Sequence, residues 1–140
     1  MIDAEDNAIN ELKRADHLFF VTLKYTRTGD VIKNTIHRLI NAFEFSMVDL
    51  LTKKKVKDIP STPLAQAELL EKLFSKKKEI KDYIDFYYHL KKIDRADYTA
   101  KEEYRKNVTL LTGVENVNVE RLYEFYQKTK EFVHFIQDFK

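Results

Sequence analysis

The sequence predicts an all-α fold: an up-and-down bundle of about five helices with a small β-hairpin before the last helix, in one domain spanning residues 1–140. Three observations carry this expectation. Apolar residues recur at three- and four-residue spacing through most of the chain, the signature of amphipathic helices. Gly and Pro number two each, far below the usual share of roughly 12% on which turn-rich sheets draw. Only one stretch, near residues 108–119, is β-branched around a glycine turn.

The first helix is expected over 3–25. Ile9, Leu12, Phe19 and Leu23 form one stripe, with Leu18, Val21 and Tyr25 beside it. Asp3 is placed to cap it, and Glu5 and Asp6 suit the positive end of its dipole. Residues 26–30 form a tight turn between helices, with Thr28 as a cap and Gly29 as a flexible backbone position.

A second helix runs to about Lys55, carrying Ile32, Ile36, Leu39, Ile40, Phe43, Met47, Leu50 and Leu51, the strongest amphipathic signal in the chain. A loop over 53–63 follows. Thr62 and Pro63 make a suitable cap and first helical residue for a third helix. That helix is expected to continue to about Lys92 through Leu69, Leu70, Leu73, Phe74, Ile80, Ile84, Tyr87 and Tyr88, across the Lys76-Lys77-Lys78 run.

Thr99 with Glu102 reads as a capping box opening a short helix to about Lys106. Strands over 108–112 and 117–119 then flank the turn 113–116, and two strands alone must lean on helices. A final helix spans 119–139. Its apolar arc, with Phe125, Tyr126, Phe132, Phe135 and Phe139, is wider than one partner helix uses. With ten Phe and eight Tyr in the chain, these five residues are the candidate interface of a homodimer.

Composition excludes several chemistries. Without Cys there is no disulfide, thiol nucleophile or Cys-ligated metal, which suits the cytoplasm. With glycine only at Gly29 and Gly113, no glycine-rich phosphate loop can be written. The acidic start lacks the basic and apolar segments of a secretory signal, and no uncharged run approaches the roughly 18 residues of a membrane span. No cofactor is expected.

Net charge is +2, but it is unevenly spread. Residues 50–92 hold 11 Lys against six acids, while the remainder holds 14 basic and 17 acidic residues. Lys53, Lys54 and Lys55 close the second helix, and Lys76, Lys77, Lys78 and Lys81 lie in the third, with tyrosines nearby. These lysines are the candidate nucleic-acid-binding residues, since phosphate contact plus base stacking is what such a surface offers. The plain alternative is lysine favoured at a helix C-terminus by the dipole.

The four histidines are scattered among the helices. Asp82, Asp85 and His89 share a helix face and could present two carboxylates and an imidazole to a metal, but no His-x-x-x-His or Glu-x-x-His spacing supports a ligand set. A solvated face explains them. Arg27 and His37, in a polar group with Tyr25, Asp30 and Asn34, are the candidate catalytic pair for phosphodiester cleavage, one stabilising charge and the other transferring protons.

The layout of two long helices, a further pair and a late insertion before a terminal helix resembles the HEPN superfamily. The stretch from Asp16-His17-Leu18 through Lys24-Tyr25-Thr26-Arg27 to Asp49-Leu50 looks like its helical hairpin. The resemblance implies a helical bundle and a dimer. Many members are ribonucleases marked by an Arg, a polar residue and, after four to six intervening positions, a His. None of Arg14, Arg27, Arg38, Arg95, Arg105 and Arg121 has a His at that distance. The expected function is therefore a non-enzymatic binding or assembly module with nucleic acid or a protein as partner. A divergent metal-independent ribonuclease, or a nucleic-acid-processing accessory, is the alternative.

Overall fold

The computed structural model describes residues 3–139. Its elements in chain order are α1 (Ala4–His17), a π-helical turn (Leu18–Thr22), a last short turn α2 (Leu23–Tyr25), α3 (Gly29–Lys53), α4 (Pro63–Leu73), α5 (Lys78–Arg95), β1 (Tyr98–Lys101), β2 (Thr109–Thr112) and α6 (Val119–Gln137). The first three form one rod, so the described residues make a five-helix bundle with one two-stranded antiparallel sheet. No helix among them is long and apolar enough to cross a membrane.

The helix starts follow local chemistry. Asp3, Thr28, Thr62 and Asn118 each accept a hydrogen bond from the backbone N–H three residues on, satisfying a donor the helix leaves free. The short turn after α2 folds α1 back along α3, which lies at the centre of the bundle against α1, α6 and the α4–α5 pair. It therefore buries residues around most of its circumference, from Val31 to Leu51. Phe43 on α3 stacks on Phe132 of α6, with ring centroids 4.5 Å apart, and also meets Phe86 and Tyr87 of α5. Buried Thr35 and Thr129 donate their hydroxyls to the carbonyls of Val31 and Phe125, one turn back, so neither is left unpaired.

Three expectations are corrected. The third helix is two helices: the chain breaks over 74–77, where Phe74 turns into the core against Phe139, and α5 returns antiparallel to α4. One unbroken helix could not have brought the apolar faces of both halves onto α3. No helix opens at Thr99. That residue lies in β1, which pairs with β2 in the register Tyr98↔Thr112 to Lys101↔Thr109. Glu102 and Tyr104 are in the left-handed region, φ 57° and 68°, so the 102–107 segment is a turn. The hairpin is thus β1 with β2; Val117 makes only a single bridge to Leu110.

Gly29 also has a different reason to be glycine. It is the first residue of α3 and has no positive φ. A Cβ there would stand 2.6 Å from the Ala100 Cβ of β1. Close approach of strand to helix requires the glycine, not backbone freedom.

Candidate nucleic-acid interface

The π-helical turn Leu18–Thr22 adds a residue to one turn of the first helix, and none of its five side chains is buried. Such turns occur frequently at functional sites. Here it sets Phe19 and Phe20 side by side against Tyr123 and Tyr126 of α6. Phe19 stacks parallel to Tyr126 at 6.3 Å, and Phe20 meets the same ring edge-on at 5.7 Å. Tyr123 lies within 6.3 Å of both phenylalanines. Tyr126 donates its hydroxyl to Asp16 at 2.6 Å; burial and that bond push its titration above the ordinary tyrosine range. The rest of its ring is core.

The turn over 102–107 docks on the same end of the bundle. Tyr104 donates its N–H to the Arg27 carbonyl at 2.6 Å, and the Glu103 carboxylate accepts the Gly29 N–H at 3.1 Å. These bonds hold the two left-handed residues, which cost on the order of 1 kcal/mol each. They also bring Lys106 to Arg27. The result is a cleft of about 320 Å³ lined by Phe19, Phe20, Leu23, Lys24, Arg27, Lys106 and Val119, with no carboxylate in its wall. None of the three cations is in an ion pair among the described residues. Four large aromatics at this end stay open to solvent: Phe20 is 48% exposed, Tyr123 41%, Tyr104 76% and Tyr25 81%. Several exposed rings at the end of the bundle that also holds three unpaired cations are a surface that needs a reason.

The lysines singled out from sequence lie elsewhere, and the structure occupies most of them. The two runs, far apart along the chain, converge on the Phe74–Phe139 ring pair at the opposite end of α1. Lys54 sits over Phe74 and Lys77 over Phe139. Lys53 donates to the carbonyls of Ile136 and Gln137 at the end of α6, at 2.6 and 3.3 Å, and pairs with Asp49. Burial raises the Asp49 carboxyl above its ordinary value while Lys53 opposes the rise. Lys81 pairs with Asp85. Lys55, Lys76 and Lys78 are exposed. Lys53 thus caps the C-terminal end of α6, and Lys54 and Lys77 cover the ring pair.

The Arg27–His37 pair is not assembled. His37 lies about 12 Å further along α3 than Gly29, at 1.5 Å per residue. It faces Asp94 at 3.7 Å, which also takes Lys33. Asp30 accepts the Tyr98 hydroxyl instead of joining Arg27. The polar group expected around Tyr25 and His37 is thus divided between two neighbourhoods.

Asp82, Asp85 and His89 make no metal site; among the described residues no group of three His, Asp or Glu could hold an ion. His89 bonds Glu115 at 2.7 Å, and Glu115 also takes the Arg121 guanidinium, so the 113–116 turn is clamped to α5 and α6.

Of the five aromatics of the expected interface, three are buried and two half-buried. Phe125, Tyr126 and Phe132 are buried in the chain's own core, and Phe135 and Phe139 pack against it. The wide arc exists because α6 touches α1 and α3 and sends rings to α5. Tyr25 and Arg27 were singled out for another group, and Phe20, Tyr104 and Tyr123 were missed because no single segment carries them. The one local signal is Leu18-Phe19-Phe20-Val21, four consecutive apolar residues that no helix can turn to one core face. Compared with known proteins, the chain matches no family model, no curated protein and no solved structure.

Proposed function

We propose that the chain is a non-enzymatic cytoplasmic binding module of HEPN-like type that holds single-stranded nucleic acid at its aromatic end. The observation that carries this reading is exposed Phe20 lining one cleft with the unpaired Lys24, Arg27 and Lys106, with exposed Tyr123 beside Phe20 and exposed Tyr25 and Tyr104 in the segments that adjoin it. Ring faces stack bases without regard to sequence, contributing roughly 1–3 kcal/mol per base, and cations around them take the phosphates. A duplex keeps its bases stacked on one another and offers no free faces to these rings.

The test is fluorescence anisotropy of a labelled short oligouridylate against the intact protein. Binding is expected to weaken with salt, with a log–log slope of about −2 for three phosphate contacts on a single strand. Phe20→Ala and Tyr123→Ala should each weaken it about tenfold, and Arg27→Ala should flatten the slope by about 0.7. Lys76→Ala with Lys78→Ala should leave binding unchanged. No binding, binding indifferent to salt, or equal loss on the Lys76 and Lys78 variants refutes the reading. So does a homodimer, seen by light scattering after size exclusion, that Phe20→Ser dissociates, because a second copy would then cover these rings.

A further inference from the structure

A second cleft, remote from the aromatic end, lies between the start of α4 and the last turns of α5, with a volume of about 370 Å³. From its construction we infer that it is a binding site for an aromatic phosphomonoester, a planar ring body carrying one dianionic phosphate.

The floor is made by Tyr87 and Tyr88. Tyr87 donates its hydroxyl to Glu44 of α3 at 2.6 Å, and Tyr88 donates to Glu71 of α4 at 2.7 Å. Tyr87 is buried and closes the base of the cleft, while the Tyr88 ring is half-buried and held from behind, so a flat ligand meets a surface already in position, which lowers the ordering cost of binding. The opposite wall is Pro63 and Leu64, and Leu64 is 57% exposed. A leucine turned to solvent in the same cleft as the fixed, half-buried Tyr88 ring leaves an apolar slot.

Charge sets the ligand class. Lys91 is half-buried and shares Glu44 with Tyr87, 3.5 Å from the carboxylate. Lys92 and Arg95 line the same cleft and are in no ion pair among the described residues. Two uncompensated cations match one dianion, and a phosphomonoester near neutral pH is close to one. Guanidinium and ammonium both form charge-assisted bonds to phosphate oxygens. The acids fix the orientation: Glu71 accepts the Tyr88 hydroxyl, and the charges of Glu68 and Asp85 add to the rise in its titration, whereas Arg95 lies close enough to the Tyr87 hydroxyl to oppose its rise in pKa. The phosphate therefore belongs at the Arg95 and Lys92 end and the ring over Tyr88. Dipole compensation explains basic residues in the last turn of α5. It does not explain a ring-floored cavity in front of them.

The experiment is a ¹⁵N–¹H NMR titration of the whole chain with two probes, adenosine 5′-monophosphate and phenyl phosphate, beside adenosine and inorganic phosphate as the separated halves. At least one phosphomonoester should give saturable shifts at Leu64 and over residues 87–95. Each half should bind about tenfold more weakly or worse. The double variant Lys92→Ala with Arg95→Ala should lose at least about tenfold in affinity. Both positions are exposed, so amide dispersion and far-UV circular dichroism should be unchanged, and Lys130→Ala should bind as the parent does. Absence of shifts there with either phosphomonoester at about 5 mM overturns the inference. Equal binding by inorganic phosphate alone, or full affinity in the double variant, does the same. Shifts confined to residues 19–27 and Tyr123 would overturn this site while supporting the aromatic end.

Discussion

Gly29→Ala tests how the strand pair is seated on the start of α3. The added Cβ meets the Ala100 Cβ at 2.6 Å, with Leu110 Cδ1 at 3.6 Å and the Ala100 Cα at 3.8 Å. Carbon atoms rest about 3.5–4.0 Å apart, so roughly 1 Å must open between helix and strand. The obstacle is a methyl fixed to the backbone of β1, which has no rotamer by which to withdraw. Overpacking of this kind costs about 1–3 kcal/mol. Opposing it, alanine in place of glycine gains up to about 1 kcal/mol from helix propensity and a less disordered unfolded chain. The net expectation is a destabilisation of about 1–2 kcal/mol, read as a lower urea midpoint at unchanged slope.

The clash has a partner, so a second substitution isolates it. Ala100→Gly alone should cost about 0.5–1 kcal/mol, the usual cost of glycine in a strand. In Gly29→Ala with Ala100→Gly the opposing methyl is gone, and the pair should be about as stable as Ala100→Gly by itself, a coupling of about 1–2 kcal/mol. Because Gly29 also bonds Glu103 and Arg27 bonds Tyr104, opening this contact should weaken oligouridylate binding, with recovery in the double variant. A neutral or stabilising Gly29→Ala, or two costs that simply add, would show that the strand does not press on α3 as described.

Two further outcomes follow from the packing. Glu115 is pushed up by burial, but hydrogen bonds from Arg121 and His89 outweigh this and hold its carboxyl below the ordinary value of 4.5. A depressed folded pKa contributes stability above the unfolded value and loses it as pH falls through the folded one. Glu115→Gln should therefore be about 1–2 kcal/mol less stable at pH 7 and show a shallower loss of stability below about pH 4.5 than the parent in urea titrations; parallel acid limbs would contradict the clamp. Phe132→Ala, which removes the ring stacked on Phe43, should cost about 3–5 kcal/mol without changing the oligomeric state seen by light scattering. A dissociated dimer of normal stability would return that residue to an interface.

Much of the bundle was legible because helix-forming information is local. The stripes of α3 and α6, the caps at Asp3, Thr28 and Thr62 and the turn after Tyr25 depend on residues within a few positions of one another. The break at Phe74 was hidden because an apolar residue at that position fits a continuing helix stripe as well as a turn into the core. Thr99 and Glu102 misled for a related reason: their spacing suits a capping box, and only β2, some ten residues on, makes 98–101 a strand. The candidate site was least legible. Phe20, Arg27, Tyr104 and Tyr123 come from four separate segments, and nothing near Lys53 in sequence announces that its ammonium is taken by the carbonyls of Ile136 and Gln137.

The sequence by itself determined where helices form and how they begin, because apolar periodicity, capping side chains and the scarcity of Gly and Pro act over a few residues. It determined too that glycine-rich phosphate loops and thiol chemistry are absent. Tertiary structure alone decided which aromatics are core and which are surface, turning Phe125 and Phe132 inward and leaving Phe20 and Tyr123 out. It decided as well which cations are spent on helix ends and which stand free. Burial and ion pairing are properties of neighbours, and neighbours are chosen by packing across the whole chain.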